Sequence, residues 1–194
     1  MLRRKATASV IAGVLAMTLG VVPANADIAT EGENLRIMYE EERMAHDLYV
    51  ALADMWGPQK FSNIARAETR HQNIMGAQLD RIGVARPDGQ TPGEYEFEEL
   101  NKLYADWLAR GGESQQAAFE VGAELERRDI ADLQKVKGET DDPQLIGACD
   151  KLIAGSERHL AAFEGKQGDR PGKKMKQGKG ERKGRMERSN CVNG

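Results

Sequence analysis

Between Glu33 and Phe163, apolar residues recur every three or four positions through four long stretches, and nowhere in them does the strict alternation of a half-buried strand occur. Such a pattern restricts the chain to helices that each bury one stripe. The first runs from about Glu33 to Trp56, after a short polar lead-in from Asp27 to Gly32, and puts Leu35, Met38, Glu42, Ala45, Tyr49 and Leu52 on one face. Gly57-Pro58 stops it. Ser62 caps the second helix, whose stripe of Ile64, Glu68, His71, Met75 and Ile82 ends at Gly83. Val84 to Glu96 holds two prolines and two glycines and reads as loop, and Phe97 to Ala109 as a shorter amphipathic helix closed by Gly111-Gly112. Ser114 caps the third long helix, Gln115 to Lys137, with Phe119, Ala123, Glu126, Ile130 and Leu133 inward. Thr140-Asp141-Asp142-Pro143 opens the last, striped by Leu145, Cys149, Leu152, Ser156, His159 and Phe163. The expected fold is all-α: an antiparallel four-helix bundle with an extra short helix between the second and third long helices.

Each long stripe is interrupted by a side chain that ligates metals. Glu68 and His71, in Glu68-Thr69-Arg70-His71, lie three residues apart, so a helix turns the carboxylate and the imidazole to the same side. Burying a lone carboxylate costs several kcal/mol, which calls for a neutralising partner. Glu42 on the first helix, Glu126 with Asp129 three residues on in the third, and His159 on the fourth occupy corresponding places. Carboxylates bridge hard cations and imidazoles suit iron, so this donor set is that of a carboxylate and histidine metal site. Against it stand a surface pair for Glu68 and His71, a neighbouring acid turned inward in place of Glu42 or Glu126, an ion pair with Arg128 for Asp129 and a hydrogen-bonded core role for His159. His46 is placed around the site or at the surface, and Trp56, Trp107 and the methionines in core packing.

The two ends differ from this middle. Residues 1–26 carry Arg3-Arg4-Lys5, an apolar run from Ala8 to Val22 and Ala24-Asn25-Ala26, the order of a cleaved secretory signal. The expected domains are the signal over 1–26, the helical domain over 27–164 and a basic Gly/Lys/Arg-rich tail over 165–194 too poor in apolar residues to fold alone. The tail holds 10 Lys and Arg against 3 Asp and Glu, whereas 27–164 holds 15 against 28. An acidic domain thus bears a basic tail, which would suit an anionic cell-envelope surface. Nucleic acid is not an expected partner, because the chain reads as exported, to the periplasm or the medium, and the tail has no aromatic residue for base stacking. Cys149 and Cys191 could pair in an oxidising compartment, and their spacing leaves the connectivity open.

Four motifs in order carry a resemblance. They are Glu40-Glu41-Glu42-Arg43-Met44-Ala45-His46-Asp47-Leu48-Tyr49, Phe61 through His71, Val121 through Leu133, and Gly155-Ser156-Glu157-Arg158-His159-Leu160. Over about Leu35 to Phe163 the chain resembles an uncharacterised ferritin-like family of bacteria and archaea, catalogued as a domain of unknown function, and more distantly rubrerythrin and ferritin. The resemblance implies a ferritin-like bundle with iron as cofactor, two per chain, other divalent metals being the alternative. It implies Glu68 and Glu126 as bridging ligands, Glu42, His71 and His159 as terminal ones, and Tyr49, seven residues after Glu42, as a hydrogen-bond or electron donor in ferrous-iron oxidation or peroxide or oxygen reduction. Asp129 matches the second carboxylate of rubrerythrin-like third helices. One position departs: the full pattern has Glu three residues before His159, and this chain has Ser156, with Glu157 off the face. The alternatives are a non-catalytic metal-binding protein and a helical scaffold held at the envelope by its tail; a homodimer fits each of them.

Overall fold

The computed structural model describes residues 24–57 and 59–165, with side chains from Thr30 onward. The expectations for the amino-terminal signal, for the tail beyond Gly165 and for a Cys149–Cys191 bond rest on residues outside this range. Five helices make up the described chain: α1 (Ala24–Trp56), α2 (Gln59–Ile82), α3 (Glu98–Gly111), α4 (Gln115–Gly138) and α5 (Pro143–Phe163). There is no strand among the described residues, and no helix of the described residues is long and apolar enough to cross a membrane.

Two boundaries differ from expectation, each because tertiary contacts outweigh a local signal. Helix α1 runs through the stretch read as a polar lead-in: Gly32 is buried against Val84, which leaves no room for a side chain, and Glu31 accepts a hydrogen bond from Thr140. Helix α2 begins at Gln59, so Ser62 lies inside it and is not its cap. Its first turn is held by Phe61, fully buried among Tyr49, Phe119 and Phe163, and by Lys60 Nζ donating to the Ala162 carbonyl at 2.6 Å. Other signals act as read. Gly57 and Gly83 take up left-handed φ angles of 74° and 73° just past α1 and α2. Ser114 Oγ accepts from the Ala117 N–H, and Asp142 from the Gln144 N–H with Pro143 behind it.

Helix α1 packs along α2 and α4 along α5, with further contacts between α1 and α4 and between α2 and α5; α3 lies across α1 and α4. Two apolar clusters fill the interior. One holds Leu48, Tyr49, Phe61, Trp107, Val121 and Phe163, the other Leu35, Met75, Leu79, Leu133, Leu145 and Leu152. Their order along the chain reverses between α1 and α2 and between α4 and α5. It follows that every neighbouring pair of long helices is antiparallel, while α2 and α4 run the same way, so the connection through α3 returns along the length of the molecule.

That connection is pinned to α1 by a buried ion pair. Arg43 bonds Glu40 at 2.9 Å, donates to the Glu94 carbonyl at 2.7 Å and stacks over the Tyr95 ring, and Glu40 accepts the Glu96 N–H.

Candidate metal centre

A polar layer, buried apart from a partly exposed His159, separates the two apolar clusters, at the same height on all four long helices. It comprises Glu41 and Glu42 on α1, Glu68 and His71 on α2, Glu126 and Asp129 on α4, and Ser156 and His159 on α5. The three-residue spacings on α2, α4 and α5 put both members of each pair on the inward stripe. Glu42 and Glu126 are each only 1 % exposed.

Glu68 is the hub. One carboxylate oxygen lies 2.9 Å from His71 Nδ1 and the other 2.8 Å from His159 Nδ1. His71 Nδ1 is also 3.4 Å from Glu42, and His159 Nδ1 is 3.5 Å from Glu126. The two imidazoles stack with centroids 5.4 Å apart. On α4, Glu126 accepts a hydrogen bond from the buried Tyr49 hydroxyl at 2.7 Å, and Asp129 one from Ser156 Oγ at 2.5 Å. A single ligand atom from each of Glu68, His71 and His159 falls within 4.8 Å of the other two, so this group could hold a metal ion.

The contacts between Glu68 and the two imidazoles are ion-pair contacts off hydrogen-bond geometry. Among the described residues, both imidazole Nδ1 atoms, Glu68 Oε1, Glu42 Oε1 and Asp129 Oδ1 are buried without a hydrogen-bond partner. Buried polar atoms are normally satisfied, and leaving one unpaired costs about 1–3 kcal/mol. With Glu41 Oε2, six such atoms lie in one layer, and a cation accepting their lone pairs would resolve them. The interior space that these carboxylates share with Met44, Trp107 and Leu125 is about 10 Å³, room for one ion or water and not for an organic ligand.

The charges are distributed unevenly. Burial alone would raise the Glu68 carboxyl, but His159 and His71 override it and hold it down to about 2. Burial disfavours the His159 cation, yet Glu126 and Glu68 lift that imidazole to about 9, and Glu68 raises His71 in the same way. Glu126 is pushed up to about 7 by burial and by Glu68, and Asp129 to about 7 by burial and by Glu126. Glu42 is raised well above the usual carboxylate range by burial and then by Asp129, Glu68 and Glu126.

The layer brings Glu42, Glu68, His71, Glu126, Asp129 and His159 together, with Tyr49 against Glu126. Asp129 turns to Ser156, and Arg128 pairs instead with Glu41, Glu99 and Asp132. Glu157 is exposed, and His46 lies beside Asp47. Sequence reasoning set one residue aside as an alternative to Glu42 and missed another. Glu41 is 4 % exposed, its Oε1 bonded by Arg128 at 2.7 Å and its Oε2 unpartnered among the described residues. Gly155 faces His71, and a Cβ there would overlap Nε2. A glycine inside a helix costs about 1 kcal/mol relative to alanine, so its presence on the stripe of α5 is itself a signal of close approach.

A family model described as "Uncharacterized protein domain (DUF2202)" matches residues 31–180. Uncharacterized protein MJ0754 of Methanocaldococcus jannaschii is 34% identical over 134 residues, which are 69% of this chain and 72% of that protein. The crystal structure of hypothetical protein MJ0754 from Methanococcus jannaschii DSM 2661 is similar with a TM-score of 0.66 at 33% identity, covering 68% of this chain and 76% of that one.

Proposed function

The chain belongs to the DUF2202 family of uncharacterised domains, and from that membership and the geometry of the polar layer we propose that it is a ferritin-like metal-binding protein with a carboxylate and histidine di-iron site. The observation that carries the reading is the set of buried, unpartnered ligand atoms converging from α1, α2, α4 and α5. Glu68, His71 and His159 would hold the metal, with Glu42, Glu126 and Asp129 supplying further oxygens. Iron bound there would supply a Lewis-acidic, redox-active centre for oxidation of ferrous iron or reduction of peroxide or oxygen. The protein's own contribution is to exclude bulk water, to hold each ligand on a rigid helix, and to keep the Tyr49 hydroxyl on Glu126 as a nearby donor. The order of residues 1–26 supports an exported location.

Anaerobic reconstitution with ferrous iron, comparing wild type with the double variant Glu68→Ala and His71→Ala, tests this. About two irons per chain in the wild type and none in the variant is the expected result; no iron in either overturns the reading. One observation favours a second reading, metal binding without turnover: Ser156 stands where a complete di-iron set has a carboxylate, and it ties up one oxygen of Asp129. Binding of a single metal with no oxidation on exposure to oxygen or peroxide would select it.

A further inference from the structure

Arg128 is the one residue that lines both the small interior space beside Glu41, Glu42 and Asp129 and a separate outer cleft of about 170 Å³. The outer cleft carries Glu99, Asp132 and Glu139, with Lys135 as its other cation besides Arg128. Inside, Glu41 Oε2, Glu42 Oε1 and Asp129 Oδ1 are buried oxygens with no hydrogen-bond partner among the described residues. These oxygens lie on the α1–α4 side of the layer, whereas both imidazoles are on α2 and α5. Resting on the metal-site reading above, the geometry points to a cation access site here, with Glu41 as its first interior ligand and Arg128 as the gate between it and the acidic cleft.

The gate has somewhere to go. Arg128 Nε lies 2.7 Å from Glu41 and 3.3 Å from Asp132, and its Nη2 lies 2.9 Å from Glu99. Asp132 and Glu99 are the more exposed partners, so the guanidinium can give up Glu41 and stay paired. A divalent cation attracted by the cleft then takes the place of the guanidinium at Glu41. From Glu41 the neighbouring Asp129 and Glu42 lead to Glu68 and the imidazoles.

Stopped-flow uptake of Co²⁺ by the full chain, read by its visible absorption, tests this together with the final Co²⁺ stoichiometry. Arg128→Gln should speed uptake about tenfold with the plateau unchanged, and Glu41→Gln should slow it about tenfold. Arg127→Gln removes the same charge from a residue paired with Glu164 and should leave the rate near wild type. Equal acceleration by the two arginine variants, or a lowered plateau at wild-type rate in Glu41→Gln, overturns the access route while leaving the metal site standing. No Co²⁺ signal in the wild type, or a signal that survives Glu68→Gln undiminished, overturns the site reading and the route with it.

Discussion

On the α2–α5 side of the polar layer, Glu68 faces two imidazoles; on the α1–α4 side, Glu42, Glu126 and Asp129 crowd one another, with Tyr49 and Ser156 as hydroxyl donors. The same kind of side chain is therefore held ionised on one side, down to about 2, and shifted toward its protonated form on the other, to about 7. Both environments are equally dry, so the difference comes from the neighbours and not from burial. Metal binding would ask different things of the two sides: the first gives up protons from its imidazoles, the second from its carboxyls.

The sharpest way to break this contrast is a pair of isosteric substitutions in metal-free protein at pH 6. Glu68→Gln leaves two buried imidazoles without their counter-ion and should cost about 3–5 kcal/mol in denaturant unfolding, whereas Glu126→Gln copies a protonated carboxyl and should cost about 1 kcal/mol or less. Equal losses would mean that the two sides are electrostatically alike.

The second effect is a pH dependence with a definite sign. Glu126 and Asp129 are raised in the folded state, so the folded chain binds more protons than the unfolded one between about pH 4 and 7, and their stabilisation is lost as pH rises through about 7. His159, lifted to about 9, adds a loss in the same direction above its ordinary value, and Glu68, held down to about 2, is constant across this window. Thermal unfolding of metal-free protein should show stability declining by several kcal/mol between pH 5 and 8, and bound metal should flatten it. A stability that rises over that range would contradict the charge assignment.

Next comes the packing behind His71. Gly155→Ala puts a methyl group against Nε2 and should weaken metal affinity about tenfold in calorimetric titration, the scale of a lost supporting contact. Gly147→Ala, on the same helix with open space around it, should leave affinity unchanged and raise stability by up to about 1 kcal/mol. The smallest effect is Ser156→Ala, which removes the hydroxyl from Asp129 and should cost about 1 kcal/mol on the α1–α4 side alone.

Which residues could share a stripe was legible without tertiary information, because a helix repeats every 3.6 residues and Glu68 with His71, or Glu126 with Asp129, must then point the same way. The caps at Ser114 and Asp142 were legible for the same local reason. Where α2 starts was not, since the anchoring of its first turn by Phe61 and Lys60 depends on α4 and α5. Within Glu40-Glu41-Glu42, periodicity could not say that all three acids are buried, one on Arg43 and the connection before α3, one on Arg128 and one in the layer.

Periodicity, turn residues and the polar interruption of each stripe thus determined five helices and a short set of inward acids and histidines from the sequence by itself, for these are properties of a chain within a few residues of itself. Only the tertiary structure decided that Glu68 sits between both imidazoles, that Asp129 takes Ser156 and not Arg128, and that a glycine on α5 makes room for a histidine on α2. Those facts depend on the height and rotation at which separate helices meet, which are set by the packing of two apolar clusters above and below the layer.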